Sequence, residues 1–262
     1  MADITAAKPF YSVLVLAFVC SALVAGAAVG LRPRQEANKQ LDRQKNILVA
    51  AGLYNESKPV KELFASIETR LVDLENGQFV PEEKIDPGSY NQNRAPLSDE
   101  FGQPIPRDLD TAKLGRREKY SLVYLVKENG ELSQVILPVR GKGLWSTMYA
   151  YVAVGADLNT VNGVSFYQHG ETPGLGGEIE NSRWQGGWEG KKIYREDASL
   201  GLEVIKGQVT DQNADTVYQI DGISGATLTT KGVDGLLEYW FSNQGFKPFL
   251  TQLKKAQSKS KG

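Results

Sequence analysis

The chain has 262 residues, 41% hydrophobic and 23% charged, with a formal net charge of -1. Those values exclude a largely disordered or fibrous chain, and a near-zero charge gives no basic field for nucleic acid. One cysteine, Cys20, and one histidine, His169, exclude an internal disulfide and leave too few soft ligands for a zinc, haem or iron–sulfur centre of the chain's own.

Taken in chain order, a short segment 1–9 precedes an uncharged run, Phe10 to Leu31, of 22 positions rich in Ala, Val and Leu. About 20 apolar residues span a bilayer core as helix, so 10–31 is read as a transmembrane helix. A cleaved signal peptide is the competing reading, because Ala25-Gly26-Ala27 has small residues at A-x-A spacing. The run is longer than the roughly 7–15 residues of a signal-peptide core, which favours the anchor. Lys8 precedes the span, whereas Arg32, Arg34, Lys39, Arg43 and Lys45 follow it. Counted literally, that bias places the C-terminal part in the cytoplasm.

Residues 32–51 read as the same helix continuing beyond the membrane, within a domain covering 32–262. Val60, Leu63, Phe64 and Ile67 are spaced as in a short amphipathic helix. Arg70 to Leu74 reads as a strand and Asn76-Gly77 as a turn. Residues 81–106 hold five of the 11 prolines and read as a long surface loop or insertion. Ser121 to Val126 and Gln134 to Val139 are strands joined by an Asn129-Gly130 turn. Tyr149 to Val154 and Val161 to Gln168 form a second pair, and Leu202 to Ile205 a further short strand. A last helix runs from near Ala226 to near Gly245 with Val233, Leu236, Leu237 and Trp240 on one face and Pro248 just beyond. The fold class is therefore α+β, a mainly antiparallel twisted sheet packed with helices and preceded by one transmembrane helix.

Three segments could carry chemistry. Asp221-Gly222-Ile223-Ser224-Gly225-Ala226-Thr227-Leu228-Thr229 is a Gly-rich turn opening the last helix. Free N–H groups and the positive dipole end suit a phosphate there, and Ser224, Thr227 and Thr229 offer hydroxyls. The plainer reading is a helix start capped by Ser224. Glu171-Thr172-Pro173-Gly174-Leu175-Gly176-Gly177-Glu178 can lie flat against a planar ring, or can be a structural turn. Gly141-Lys142-Gly143-Leu144-Trp145 brings backbone and apolar surface together, although a turn with core residues is the better bare reading. His169 reads as an ordinary polar residue at a strand end, and Trp184 and Trp188 as core. Walker A, G-x-S-x-G and dinucleotide fingerprints are absent: residue 226 is Ala, and Ile179 stands where a third Gly belongs.

Together, GKGLW, ETPGLGGE and SGATLT, in that order behind an N-terminal span, resemble the C-subunit family of the bacterial Na⁺-translocating NADH:quinone oxidoreductases over nearly the whole chain. The resemblance implies a covalent FMN, joined through its phosphate to the Thr that closes Ser-Gly-Ala-Thr, which is Thr227. Spacing alone does not choose among Ser224, Thr227 and Thr229. Asp221 with Ser224, Gly225, Ala226 and Thr227 would match the pattern read by the flavin transferase that attaches the FMN. Ser224 to Thr229, Glu171 to Gly176, Leu144 and Trp145 would lie near the flavin, with Lys206 or Lys142 as a cation close to the ring. The resemblance also implies an inner-membrane, single-pass electron carrier with its flavin domain in the periplasm, against the literal charge count. Its partners would be the other membrane subunits of the complex. The alternatives are the flavin subunit of an Rnf-type ferredoxin:NAD⁺ complex and a non-redox, membrane-anchored periplasmic binding protein. Rnf subunits usually show Thr-Gly-Ala-Thr and ETPGLGD, where this chain has Ser224 and Gly177.

Overall fold

The structure, a computed structural model, describes residues 4–210 and 215–260. Residues 1–3 of the short N-terminal segment, and 211–214 and 261–262 of the remainder, lie outside them. The chain divides into two compact units, one ending at Gln44 and the other beginning at Lys45.

Helix α1, Ile4–Ala50, is continuous through Pro33. Its side chains from Pro9 to Asn38 are all exposed. It is long and apolar enough to cross a membrane once, as a single-pass anchor would. Its last turn is of different character. Ile47, Leu48 and Ala50 are fully buried in the second unit.

In that unit, helix α2, Val60–Phe64, stops earlier than the apolar spacing predicts, and Ile67 instead opens strand β1, Ile67–Asp73. Strands β4 (Tyr120–Glu128), β5 (Glu131–Lys142), β6 (Thr147–Gly155) and β7 (Val161–Gln168) complete a sheet of order β1-β4-β5-β6-β7. Every neighbouring pair in it is antiparallel. Short β2 (Gly102–Pro104) and β3 (Arg116–Glu118) pair antiparallel, and β8 (Glu203–Val204) and β9 (Gln219–Ile220) pair parallel.

Both faces of the large sheet are covered, which is why its strands read as nearly continuous apolar runs instead of alternating ones. Val123, Leu125, Leu137, Val139, Val152 and Val164 pack on one side with helix α4, Thr227–Trp240. Leu122, Tyr124, Ile136, Tyr151 and Ala153 pack on the other with Ile47, Leu48 and Leu71. Gln134 Nε2 donates to the Ala51 carbonyl at 3.0 Å, and Ser165 Oγ donates to Asn46 Oδ1 at 3.2 Å, fixing the end of α1 on that second face.

Residues 81–106 form a mostly exposed insertion that is nevertheless anchored to the sheet. Gln92 is buried, and its Nε2 donates to Glu118 at 3.1 Å and Ser121 at 3.0 Å while its Oε1 accepts from the Leu122 N–H at 2.9 Å. Glu118, fully buried, is forked by the guanidinium of Arg140, so this polar knot pins the insertion to the sheet. One expectation needs correction: the helix expected to run to near Gly245 ends at Trp240, and Pro248 does not mark a stop. It sits in the first turn of a further helix, α5, Lys247–Ser260, where a missing N–H costs nothing. Trp188 is fully buried and Trp184 packs against the same core, as the sequence indicates.

Candidate functional site

One end of the sheet gathers the three sequence segments. Strand β5 leaves it at Lys142, β6 re-enters at Thr147, and β7 ends beside β6 through the Tyr149–Gln168 pairing. The turn 143–146 and the loop after Gln168 therefore emerge side by side. Helix α4 runs against β5, and Gly232 is what lets it come so close. A Cβ there would overlap the Lys142 carbonyl oxygen and lie 3.0 Å from Gly143 Cα.

Glu171 ties the three together. Its side chain is buried, and four donors converge on its two oxygens. The N–H of Trp145 and Ser146 donate to Oε1 at 2.9 and 3.1 Å, and the Leu144 N–H donates to Oε2 at 3.1 Å. Thr229 Oγ1, from the first turn of α4, donates to Oε2 at 2.7 Å. Burial by itself pushes the carboxyl up, but the Thr229 hydroxyl and the three backbone N–H groups outweigh it and hold the group below the ordinary Glu range. His169, just past the end of β7, accepts the Glu171 N–H at Nδ1, 3.1 Å away. Ser146 Oγ accepts the Gly170 N–H at 2.6 Å, adding a second link between turn and loop. Motif and spacing do not single out Ser146 or Gly232, although an isolated glycine inside an apolar-periodic helix is a recognised packing signal.

The hydroxyls at the start of α4 are unequal. Thr229 is 2% exposed and bonded to Glu171. Thr230 Oγ1 accepts the Ile223 N–H at 3.3 Å. Thr227 and Ser224 are exposed. Ser224 is not the cap that a plain helix start would use. The N-cap is Ala226, and no side chain caps the helix, so the positive dipole end at its first N–H groups has no capping side-chain acceptor. Gly225 precedes it at φ +73°, and Leu175 Cδ2 would lie 2.9 Å from any Cβ placed there. The turn therefore favours glycine for its backbone, and the Leu175 side chain lies directly against it.

Around this helix start, apolar side chains face water. Leu144, Trp145, Leu175 and Leu228 are 49%, 70%, 45% and 57% exposed. The bare reading of a turn with core residues is thus overturned for Leu144 and Trp145, because the tight turn between β5 and β6 points them outward. Thr172, Pro173 and Gly174 are exposed in the loop, and Gly176 is buried beneath it. Asp221 is occupied structurally, its Oδ1 accepting the Val209 N–H and its carbonyl the Trp184 Nε1–H, both at 2.7 Å. Lys142 is exposed at the end of β5. Lys206 is exposed in the turn after β8, and no described contact joins it to the Glu171 cluster.

An uncapped helix start with a free hydroxyl suits a phosphate, and outward apolar side chains beside it suit a planar ring. FMN combines the two. The residues at this end of the sheet therefore fit that group.

Comparison with known proteins bears on the same region. The FMN-binding domain family matches residues 143–242, from the turn after β5 to just past α4. The C subunit of the Na⁺-translocating NADH-quinone reductase of Pseudomonas aeruginosa is 47% identical over 249 residues, covering 94% of this chain and 95% of that one. Its counterpart in Vibrio parahaemolyticus is 45% identical, covering 92% and 93%. Among solved structures, Shewanella oneidensis NqrC superposes with a TM-score of 0.76 at 33% identity, covering 84% of this chain and 99% of its own. The C subunit from Parabacteroides distasonis gives 0.65 at 29% identity, covering 84% and 97%.

Proposed function

Because the chain belongs to the family of C subunits of the Na⁺-translocating NADH:quinone oxidoreductase and carries its FMN-binding domain, we propose that it holds FMN covalently, through a phosphoester on Thr227, as an electron carrier of that complex. The observation carrying this reading is the difference among hydroxyls. Thr227 is exposed at the uncapped start of α4, whereas the Thr229 hydroxyl is spent on Glu171 and buried. Ser224 is exposed as well but lies in the turn before the helix, two residues ahead of the N-cap Ala226.

Bound FMN supplies the redox chemistry; the chain's residues supply position and electrostatics. Thr227 Oγ provides the ester oxygen, and the N–H groups of the first turn solvate the remaining phosphate charge. Leu144, Trp145, Leu175 and Leu228 offer the apolar surface for the ring, with Thr172 to Gly174 at its border. Lys142 is the cation at the edge of the same hairpin, where it would favour an anionic reduced ring; Lys206 is the second candidate. Asp221 with the Ser-Gly-Ala-Thr turn is the segment that a flavin transferase would read. The partners of the mature chain are the other membrane subunits of the complex. The proposed arrangement is a short N-terminal segment 1–9, one bilayer span over 10–31, and a flavin domain over 32–262 on the periplasmic side of the inner membrane. A domain of this size overrides a short-loop charge bias.

Visible absorbance tests the reading. Protein made together with the flavin transferase should keep its flavin colour after denaturation, and Thr227→Val should lose it while Thr229→Val retains it. A colourless parent protein would remove the carrier reading.

A further inference from the structure

We infer that Glu171 is a positioning residue for this site: by accepting from the N–H groups of residues 144–146 and from Thr229 at once, its carboxylate fixes how the hairpin, the loop and the start of α4 face one another. The inference rests on the flavin reading for its purpose and on the hydrogen bonds for its existence. In the sequence, Glu171 reads as one more residue beside the flavin. In the fold it is buried, with both oxygens already engaged inside the protein.

The chemistry requires an anion. Four donors point at two oxygens, an acceptor load that a carboxylate carries and a neutral amide does not. Among the described residues no lysine or arginine pairs with Glu171. Its charge is balanced by backbone dipoles and one hydroxyl. The packing leaves the acid little room to move. A Cβ on Gly143 would fall 2.6 Å from Oε1, and one on Gly176 would lie 3.0 Å from Oε2. The two glycines that close over the carboxylate belong to the two apolar segments it braces. Leu144 follows Gly143 and Leu175 precedes Gly176, so releasing the carboxylate frees both flanks of the exposed apolar surface. On the third side, the Thr229 hydroxyl holds the first turn of α4, two residues from Thr227.

Thr229 supplies the discriminating test. Thr229→Val keeps the side-chain shape and removes the donor; Thr229→Ser keeps the donor and removes a methyl. If the site is held by the hydrogen bond, the Val variant is disturbed and the Ser variant restores it. If Thr229 and Glu171 only fill space, the order reverses. Glu171→Gln forms the third variant, in which an amide N–H₂ must face backbone N–H groups.

Each variant is made as the full chain in detergent, with and without the flavin transferase. In flavin-free protein, amide hydrogen exchange at residues 144–146 should quicken by about tenfold or more in Glu171→Gln and Thr229→Val. It should stay within about twofold of the parent in Thr229→Ser, while β6 interior amides are unchanged in all three. In flavin-loaded protein, iodide quenching of flavin fluorescence should rise and the midpoint potential should shift in the same order. Should Glu171→Gln fail to fold, the Thr229 pair decides alone. Parent-like exchange in Thr229→Val with faster exchange in Thr229→Ser overturns the inference. So does a change in exchange that leaves quenching and potential untouched. A parent chain that takes up no flavin sinks the functional reading separately, and the exchange result still judges whether Glu171 positions the three segments.

Discussion

Replacing Gly232 with alanine sets two effects against each other within α4. Helix propensity favours alanine over glycine by about 0.8–1 kcal/mol, so a reading of the helix alone predicts stabilisation. The tertiary structure predicts the opposite. The new Cβ would overlap the Lys142 carbonyl oxygen, approach Gly143 Cα to 3.0 Å and meet Met148 Cε at 3.1 Å. The first two are backbone atoms that cannot rotate away, so helix and hairpin must separate. Overpacking of this kind costs about 1–3 kcal/mol. Separation also lengthens the N–H bonds from 144–146 to the buried Glu171, and weakening bonds to a charged acceptor adds roughly 1–2 kcal/mol. The net expectation is a loss of about 1–4 kcal/mol, or a fall in Tm of roughly 3–12 °C for a domain of this size. Thermal unfolding of the full chain in detergent, followed by near-UV circular dichroism, reads it. Gly186→Ala in helix α3, Ser182–Gly186, is the control, since a Cβ there meets nothing within 4 Å. A Gly232→Ala protein as stable as the parent would show that α4 does not press on the hairpin in this way.

Further expectations concern other parts of the molecule. Removing residues 1–44 should give a soluble domain with one cooperative transition, whereas removing 1–51 should not, because Ile47 and Leu48 are each fully buried and worth about 1.5–3 kcal/mol; solubility and urea melts of the two fragments compare them. Gly174→Val should keep covalent flavin but alter its visible spectrum, since φ +75° excludes a β-branched residue even though the space is open; an unchanged spectrum in a folded variant would detach the loop from the cofactor. Asp234 is held above the ordinary Asp range, chiefly by burial, with Glu203's charge adding and the Val204 N–H opposing. A raised carboxyl pKa means that ionisation weakens the fold at neutral pH and stops doing so once acid protonates both folded and unfolded states. Asp234→Asn should therefore raise Tm at pH 7, and the difference should vanish as pH falls below the usual carboxylate range; a constant difference across pH would contradict this.

Much of the architecture was legible because the informative elements are long and periodic. The uncharged run before Arg32, the Asn129-Gly130 hairpin and the one-sided apolar face of α4 each declare themselves locally. Strands β2, β3 and β9 do not, since two or three residues hold no period, whereas β8 lies inside the Leu202 to Ile205 run that does read as a strand. Helix α5 was hidden by Pro248, which reads as a terminator unless a helix is known to begin at Lys247. The anchoring of the insertion at Gln92 is not legible locally, because the partners that bury it, Glu118 and Ser121, lie 26 and 29 residues away. The site was legible as three short segments but not as one object. Nothing local shows that Glu171 is covered by donors from residues 144–146 and 229, or that Leu144 and Trp145 turn outward. For the same reason spacing does not rank the hydroxyls, whereas burial sets Thr229 apart from the exposed Ser224 and Thr227.

The most direct measurement is peptide mass spectrometry of the full chain produced with its flavin transferase. The account predicts one added FMN less one water, located on Thr227 alone, with Ser224 and Thr229 unmodified in the same digest. FMN mapped to Ser224 or Thr229, or a chain whose every peptide has its unmodified mass, would contradict it.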